Sequence, residues 1–204
     1  MKPIVFLAGL APAAYWTWAL LTGHTSANPL MDITFASGDW TLRLLCLTIA
    51  VTPARRLTGW NTLVRFRRMI GLFAFFYGTL HFGIYIVLDR FFGIDSDAGV
   101  LALSTLKNLA VFVGEDIGKR PFIMVGFTAF VLMIPLAMTS TAGMIRRLGG
   151  KRWQALHRLV YVSAIAGVVH YYWLVKIDIR RPVAYGAVVV ALLASRLYWM
   201  RRKA

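Results

Sequence analysis

Acidic residues and cysteine are scarce in this chain. Eight Asp and Glu stand against 23 Lys and Arg in 204 residues, and the one cysteine, Cys46, lies alone inside an apolar run. A lone thiol excludes a disulfide framework and a Cys-based metal site, so redox chemistry here must use other ligands. The carboxylates read as loop or helix-end residues, which leaves none to pair with a histidine at membrane depth and argues against a proton relay or ion-coupled transporter built on His–Asp pairs. The sequence also lacks alternating strand patterns, internal repeats, low-complexity tracts and any soluble nucleotide-binding module.

What the chain has is apolar length. Hydrophobic residues make up 59% of it and the mean hydropathy is +0.66, far above a soluble domain. The net charge of +15 does not imply nucleic acid, because the cations sit in short clusters between apolar runs, as topology signals do. The spacing predicts an all-α integral membrane bundle of six transmembrane helices, near 4–22, 38–54, 69–88, 122–138, 154–175 and 182–200, as one domain over residues 1–204. Arg43 interrupts the second run, where its head group is expected to snorkel, and Pro53 is expected to end it. Lys2 and the first run resemble a signal peptide, but the run is long, no A-x-A site follows it, and it reads as a retained helix.

The positive-inside rule orients the bundle. Thirteen Lys and Arg, including Arg55, Arg56, Arg65, Arg67, Arg68, Arg146 and Arg147, fall on the side of the termini, and seven fall on the other. Both termini are therefore expected to be cytoplasmic. The outward segment 89–121 gathers Asp89, Asp95, Asp97, Glu115 and Asp116 and is the expected docking surface, with a merely solvated loop as the equal alternative.

Three of the four histidines fall in apolar runs: His81 in the third, His157 and His170 in the fifth; His24 reads as an ordinary loop residue. A neutral imidazole with no carboxylate nearby offers a lone pair, and heme iron is its natural acceptor in an apolar bundle. Depth selects the pair. His81 lies roughly 10 Å and His170 roughly 8 Å from the outer ends of their helices, so the two match, whereas His157 lies about 20 Å below His170. A second heme at His157 lacks a matching histidine on the third helix. The competing reading is hydrogen bonding between helices.

At these residues the chain resembles the MsrQ (YedZ) family of the ferric-reductase-like transmembrane group. The matching blocks are "LTIAVTPAR", "RFRRMIGLFAFFYGTLHFGIY" around His81, "GKRWQALHRLVY" around His157 and "HYYWLVK" from His170, within a likeness spanning about residues 4–200. The resemblance implies a heme b membrane subunit, with one heme or two, on axial ligands His81, His157 and His170. It implies electrons taken from quinone or a cytosolic flavin reductase and passed to MsrP, a periplasmic molybdopterin subunit that reduces oxidised methionine. It also implies the bacterial inner membrane and an association with FMN.

Arg67 and Arg68 suit a heme propionate or flavin phosphate, though anchoring on anionic lipid already explains them and is the favoured reading. Thr139, Ser140 and Thr141 could touch a flavin, but are expected rather to cap helices or satisfy helix carbonyls. Gly71, Gly78 and Gly83 are expected either to admit a porphyrin or to pack helices. The alternatives in function are a ferric-reductase-like cytochrome with a metal or oxygen acceptor, and a heme-free transporter or scaffold.

Overall fold

The structure, a computed structural model, describes residues 2–86, 111, 114–115 and 117–201. The described residues are helical, with no strand among them. In chain order the helices are α1 Lys2–Thr22, α2 Pro29–Thr58, a short 3-10 turn Asn61–Leu63, α3 Val64–Ile84, α4 Pro121–Met138, α5 Ala142–Leu148, α6 Gly150–Leu156, α7 Leu159–Leu174 and α8 Arg180–Arg201.

Two spans differ from expectation, each for a local reason. The second is not a 38–54 segment but a 30-residue helix. Asn28 caps it by accepting the Met31 N–H at 3.1 Å, Pro29 supplies the pre-set first turn, and Gly59 closes it in the left-handed conformation. Pro53 does not end it, and the helix runs five residues further, to Thr58. The fifth span is not continuous: α6 stops at Leu156, His157 and Arg158 form a turn, and α7 starts at Leu159. The third span begins at Val64, and its expected last residues, 87–88, lie outside the described residues.

Two helix pairs organise the packing: α2 lies along α3, and α4 along α7, while α8 packs on α7 and α2, and α1 rests on α3. Leu45 and Ile49 of α2, Phe73 and Ala74 of α3, Met133 of α4 and Ala164 of α7 meet in the common core. The outer faces are apolar as well, with Ile4, Leu7 and Leu21 of α1 and Val183, Val190 and Leu197 of α8 exposed. Helices α1, α4 and α8 are long and apolar enough to cross a membrane.

Tyr77 joins α1 to α3. Its hydroxyl donates to the Gly9 carbonyl at 2.7 Å and accepts the Ala13 N–H at 3.2 Å, one turn apart on α1 beside Pro12. The phenol thus stands in a helix ladder next to a proline, while its ring lies between Trp16 and Trp40, 5.8 and 6.2 Å away. Tyr77→Phe leaves two backbone groups to re-pair in an apolar setting, and is expected to cost about 1–3 kcal/mol, read as a lower thermal midpoint in detergent.

Candidate functional site

The two helix pairs enclose a cavity of ≈ 510 Å³, lined mainly by apolar side chains such as Leu42, Phe82, Phe127 and Met133. His81 of α3 and His170 of α7 face each other across it, ring centres 6.2 Å apart and planes at 78°. Each ring is held by its Nδ1. His81 Nδ1 lies 2.8 Å from the Thr34 carbonyl of α2, and His170 Nδ1 lies 2.7 Å from the Phe122 carbonyl of α4. A carbonyl only accepts, so each Nδ1 carries the proton and each Nε2 keeps its lone pair.

The same backbone device seats both rings. Four residues beyond each accepting carbonyl stands a glycine: Gly38 after Thr34 and Gly126 after Phe122. A Cβ at Gly38 would lie 3.1 Å from the His81 ring, and one at Gly126 only 2.5 Å from His170 Nδ1. In a helix the residue at i+4 covers the flank of carbonyl i, so a bare Cα lets an imidazole reach that carbonyl's second lone pair. Gly71 faces Thr48 of α2 instead, Gly78 lines the cavity between Thr41, Phe130 and Met133, and a Cβ on Gly83 would meet nothing.

Two imidazole nitrogens bound to opposite sides of one metal ion at roughly 2 Å each put their ring centres about 6 Å apart, which is the spacing here. Anchoring the far nitrogen on a carbonyl fixes tautomer and orientation, as metal-binding histidines commonly require. Among the described residues no three His, Cys, Asp or Glu side chains gather for a metal ion. Two facing imidazoles in an apolar cavity therefore suit a metal that arrives with its remaining ligands around it.

The other expected site residues lie elsewhere. His157 Nε2 sits 3.1 Å from Thr139 Oγ1, whose own hydroxyl donates to the Pro135 carbonyl at 2.6 Å; Nε2 must then carry the proton, the reverse of the other two rings. Trp153 stacks on His157 at 3.9 Å and donates its indole N–H to the Thr139 carbonyl. No other histidine faces it, since His24 stacks on exposed Trp18 beyond α1. Arg67 is half-buried close to Tyr161, Arg196 and His157, Arg68 is exposed, and neither lines the cavity. Ser140 Oγ donates to the Leu136 carbonyl and Thr141 caps α5, as expected.

Among the described residues one acid lies well inside a long helix, away from its ends. Asp39, ten residues into α2, pairs with Arg43 at 2.6 Å and accepts from Tyr185 Oη of α8 at 2.7 Å, while Arg43 Nε donates to the same phenol at 3.1 Å. The expectation that Arg43 snorkels gives way to this i,i+4 pair, which also lies over the Trp40 ring. In the outward segment, Asp89, Asp95, Asp97 and Asp116 lie outside the described residues. Glu115 pairs with Lys119 at 2.7 Å, which holds its carboxyl below the usual range.

The family model for the ferric reductase like transmembrane component matches residues 37–168, a segment holding both Gly38 and His81 and ending two residues short of His170. The proteins named as protein-methionine-sulfoxide reductase heme-binding subunit MsrQ from Herminiimonas arsenicoxydans and Ralstonia nicotianae are 48% and 50% identical to the chain. The alignments cover 100% and 98% of the chain, and 87% and 86% of those relatives. The chain belongs to the MsrQ family. The namesake from Rhodospirillum rubrum is 46% identical over 95% of the chain and 85% of its own length. The chain is thus a membrane protein with a ferric-reductase-like transmembrane domain, without strands among the described residues.

Sequence reasoning missed Gly38, Gly126, Thr34 and Phe122. The signal for the first pair was a glycine within a helical pattern, but nothing in one strand of sequence says which neighbouring helix brings a ring to it.

Proposed function

We propose that this MsrQ chain holds one heme b between His81 and His170 and serves as an electron-carrying membrane subunit for a methionine-sulfoxide reductase partner. The observation that carries this reading is the facing pair of imidazoles, 6.2 Å apart, each with Nδ1 tied to a carbonyl and Nε2 free for iron. When bound, heme supplies one-electron exchange between ferric and ferrous iron. His81 and His170 would hold it through their Nε2 atoms; the bonds of their Nδ1 atoms to Thr34 and Phe122 hold the rings still and make them more basic ligands. Phe82, Phe127 and Met133 keep the cavity apolar, which sets the polarity around the iron and hence its potential.

In this reading six helices, α1, α2, α3, α4, α7 and α8, cross a bacterial inner membrane with both termini in the cytoplasm, and the His81–His170 level lies toward the periplasm. Electrons come from quinone or a cytosolic flavin reductase and leave to a periplasmic MsrP-like molybdopterin subunit. His157 lies outside the axial pair, because its Nε2 is engaged with Thr139 and no second imidazole faces it. Arg67 and Arg68 are assigned to the phosphate of an FMN at the inner end, where Arg67, Arg196 and His157 converge.

The purified chain is expected to show the Soret shift and sharp alpha band of six-coordinate heme b on dithionite reduction. A colourless preparation after heme-sufficient expression would return the chain to the scaffold reading. Fast reoxidation on adding the MsrP-like subunit separates this acceptor from free metal or oxygen, and a C-terminal reporter active only in the periplasm should stay silent.

A further inference from the structure

Heme b is polar at one edge, where two carboxylates leave the ring. The cavity is electrostatically polar too. Asp39, one residue past the Gly38 that faces His81, lines it and is already matched to Arg43 and Tyr185. At the rim where α2 and α4 begin lie Asn28 and Arg120, the residues immediately before those helices. These are the two helices that offer the carbonyls gripping His81 and His170.

Resting on the heme reading above, we propose that Arg120 and Asn28 are positioning residues that bind the heme's carboxylate edge and turn it toward the outer rim. Four features converge there. Arg120 is the one Lys or Arg among the described residues lining the cavity. Its guanidinium forms paired, charge-assisted hydrogen bonds to a carboxylate. Asn28 spends its Oδ1 on the Met31 N–H, which leaves the side-chain NH2 as a donor. Both helices start at this rim, so their positive dipole ends face it. Carboxylates turned toward Asp39 instead would meet a like charge. Arg67 and Arg68, the cations that sequence offered for this role, do not line the cavity.

The test uses the full chain, heme-loaded in detergent, and measures heme loss to excess apomyoglobin together with the midpoint potential against pH. R120Q is expected to lose heme about tenfold faster or more, with R120K in between, because a charge-assisted bond is removed or weakened. Its potential falls, since a cation that favours the reduced iron is gone, and becomes pH-dependent near neutrality as the freed carboxyl titrates. N28D keeps the helix cap but adds a negative charge, and is expected to speed heme loss as well. Wild-type loss rates and potentials in R120Q and N28D, under an unchanged low-spin spectrum, overturn the proposal alone. Fast loss in R67Q or R68Q with slow loss in R120Q overturns it and moves the edge inward. A wild-type chain without bis-imidazole heme overturns the underlying reading and this proposal with it.

Discussion

Replacing His81 or His170 by alanine is expected to abolish the six-coordinate heme spectrum in either single variant and to lower heme affinity by at least roughly 100-fold. The two imidazoles form one site from two helix pairs: His81 reaches across from α3 to α2, and His170 from α7 to α4. Removing one ring leaves iron with a single protein ligand and leaves the opposite carbonyl, Thr34 or Phe122, without its imidazole partner. Both losses fall on the same cavity, so neither variant has a second ligand set to fall back on. His157→Ala is expected to keep the low-spin spectrum, because that ring is engaged with Thr139 and stacked on Trp153. The check is a reduced-minus-oxidised spectrum with heme quantified per chain. A normal low-spin spectrum in both the His81 and His170 variants would defeat the pairing.

The histidines were legible in sequence for a physical reason. An ionisable side chain in an apolar run is costly, so each one draws attention, and residue counting at helical rise places His81 and His170 at one level. The structure brings those two rings together and leaves His157 apart. The second helix was misread because its N-terminal stretch is polar: Asp32, Thr34, Ser37 and Asp39 dilute the hydrophobic signal. The capping pair Asn28–Pro29 and the i,i+4 pair Asp39–Arg43 carried the information that hydropathy did not. The break at His157 and Arg158 was hidden for the opposite reason, since neither residue is a breaker and apolar residues continue on both sides. Glycines could be found but not aimed: of Gly71, Gly78 and Gly83, read as either porphyrin-facing or helix-packing, only Gly78 lines the cavity, whereas Gly38 and Gly126 are the ones beneath the rings.

That difference yields a graded test of how the rings are seated. Gly126→Ala is expected to lower heme affinity by about 10- to 100-fold and to convert much of the remaining spectrum from low spin to high spin. The new Cβ would sit 2.5 Å from His170 Nδ1 and 2.8 Å from Cε1, and the atom it meets is not a free chain end but the nitrogen bonded to Phe122 at 2.7 Å. The ring must leave its carbonyl, and with it the orientation that aims Nε2 at the iron. Gly38→Ala meets the His81 ring at 3.1 Å, a shift of a few tenths of an ångström, so a smaller loss with a retained low-spin spectrum is expected. Gly83→Ala meets nothing within 4 Å and should leave the spectrum unchanged. Because alanine suits a helix interior better than glycine by roughly 0.5–1 kcal/mol, the heme-free variants should melt no lower than the parent, which separates a displaced ligand from a damaged fold. The order Gly126, Gly38, Gly83 in descending effect is the signature of imidazoles seated on glycine-bared carbonyls. Equal heme affinity in all three variants would show that the rings do not depend on those seats.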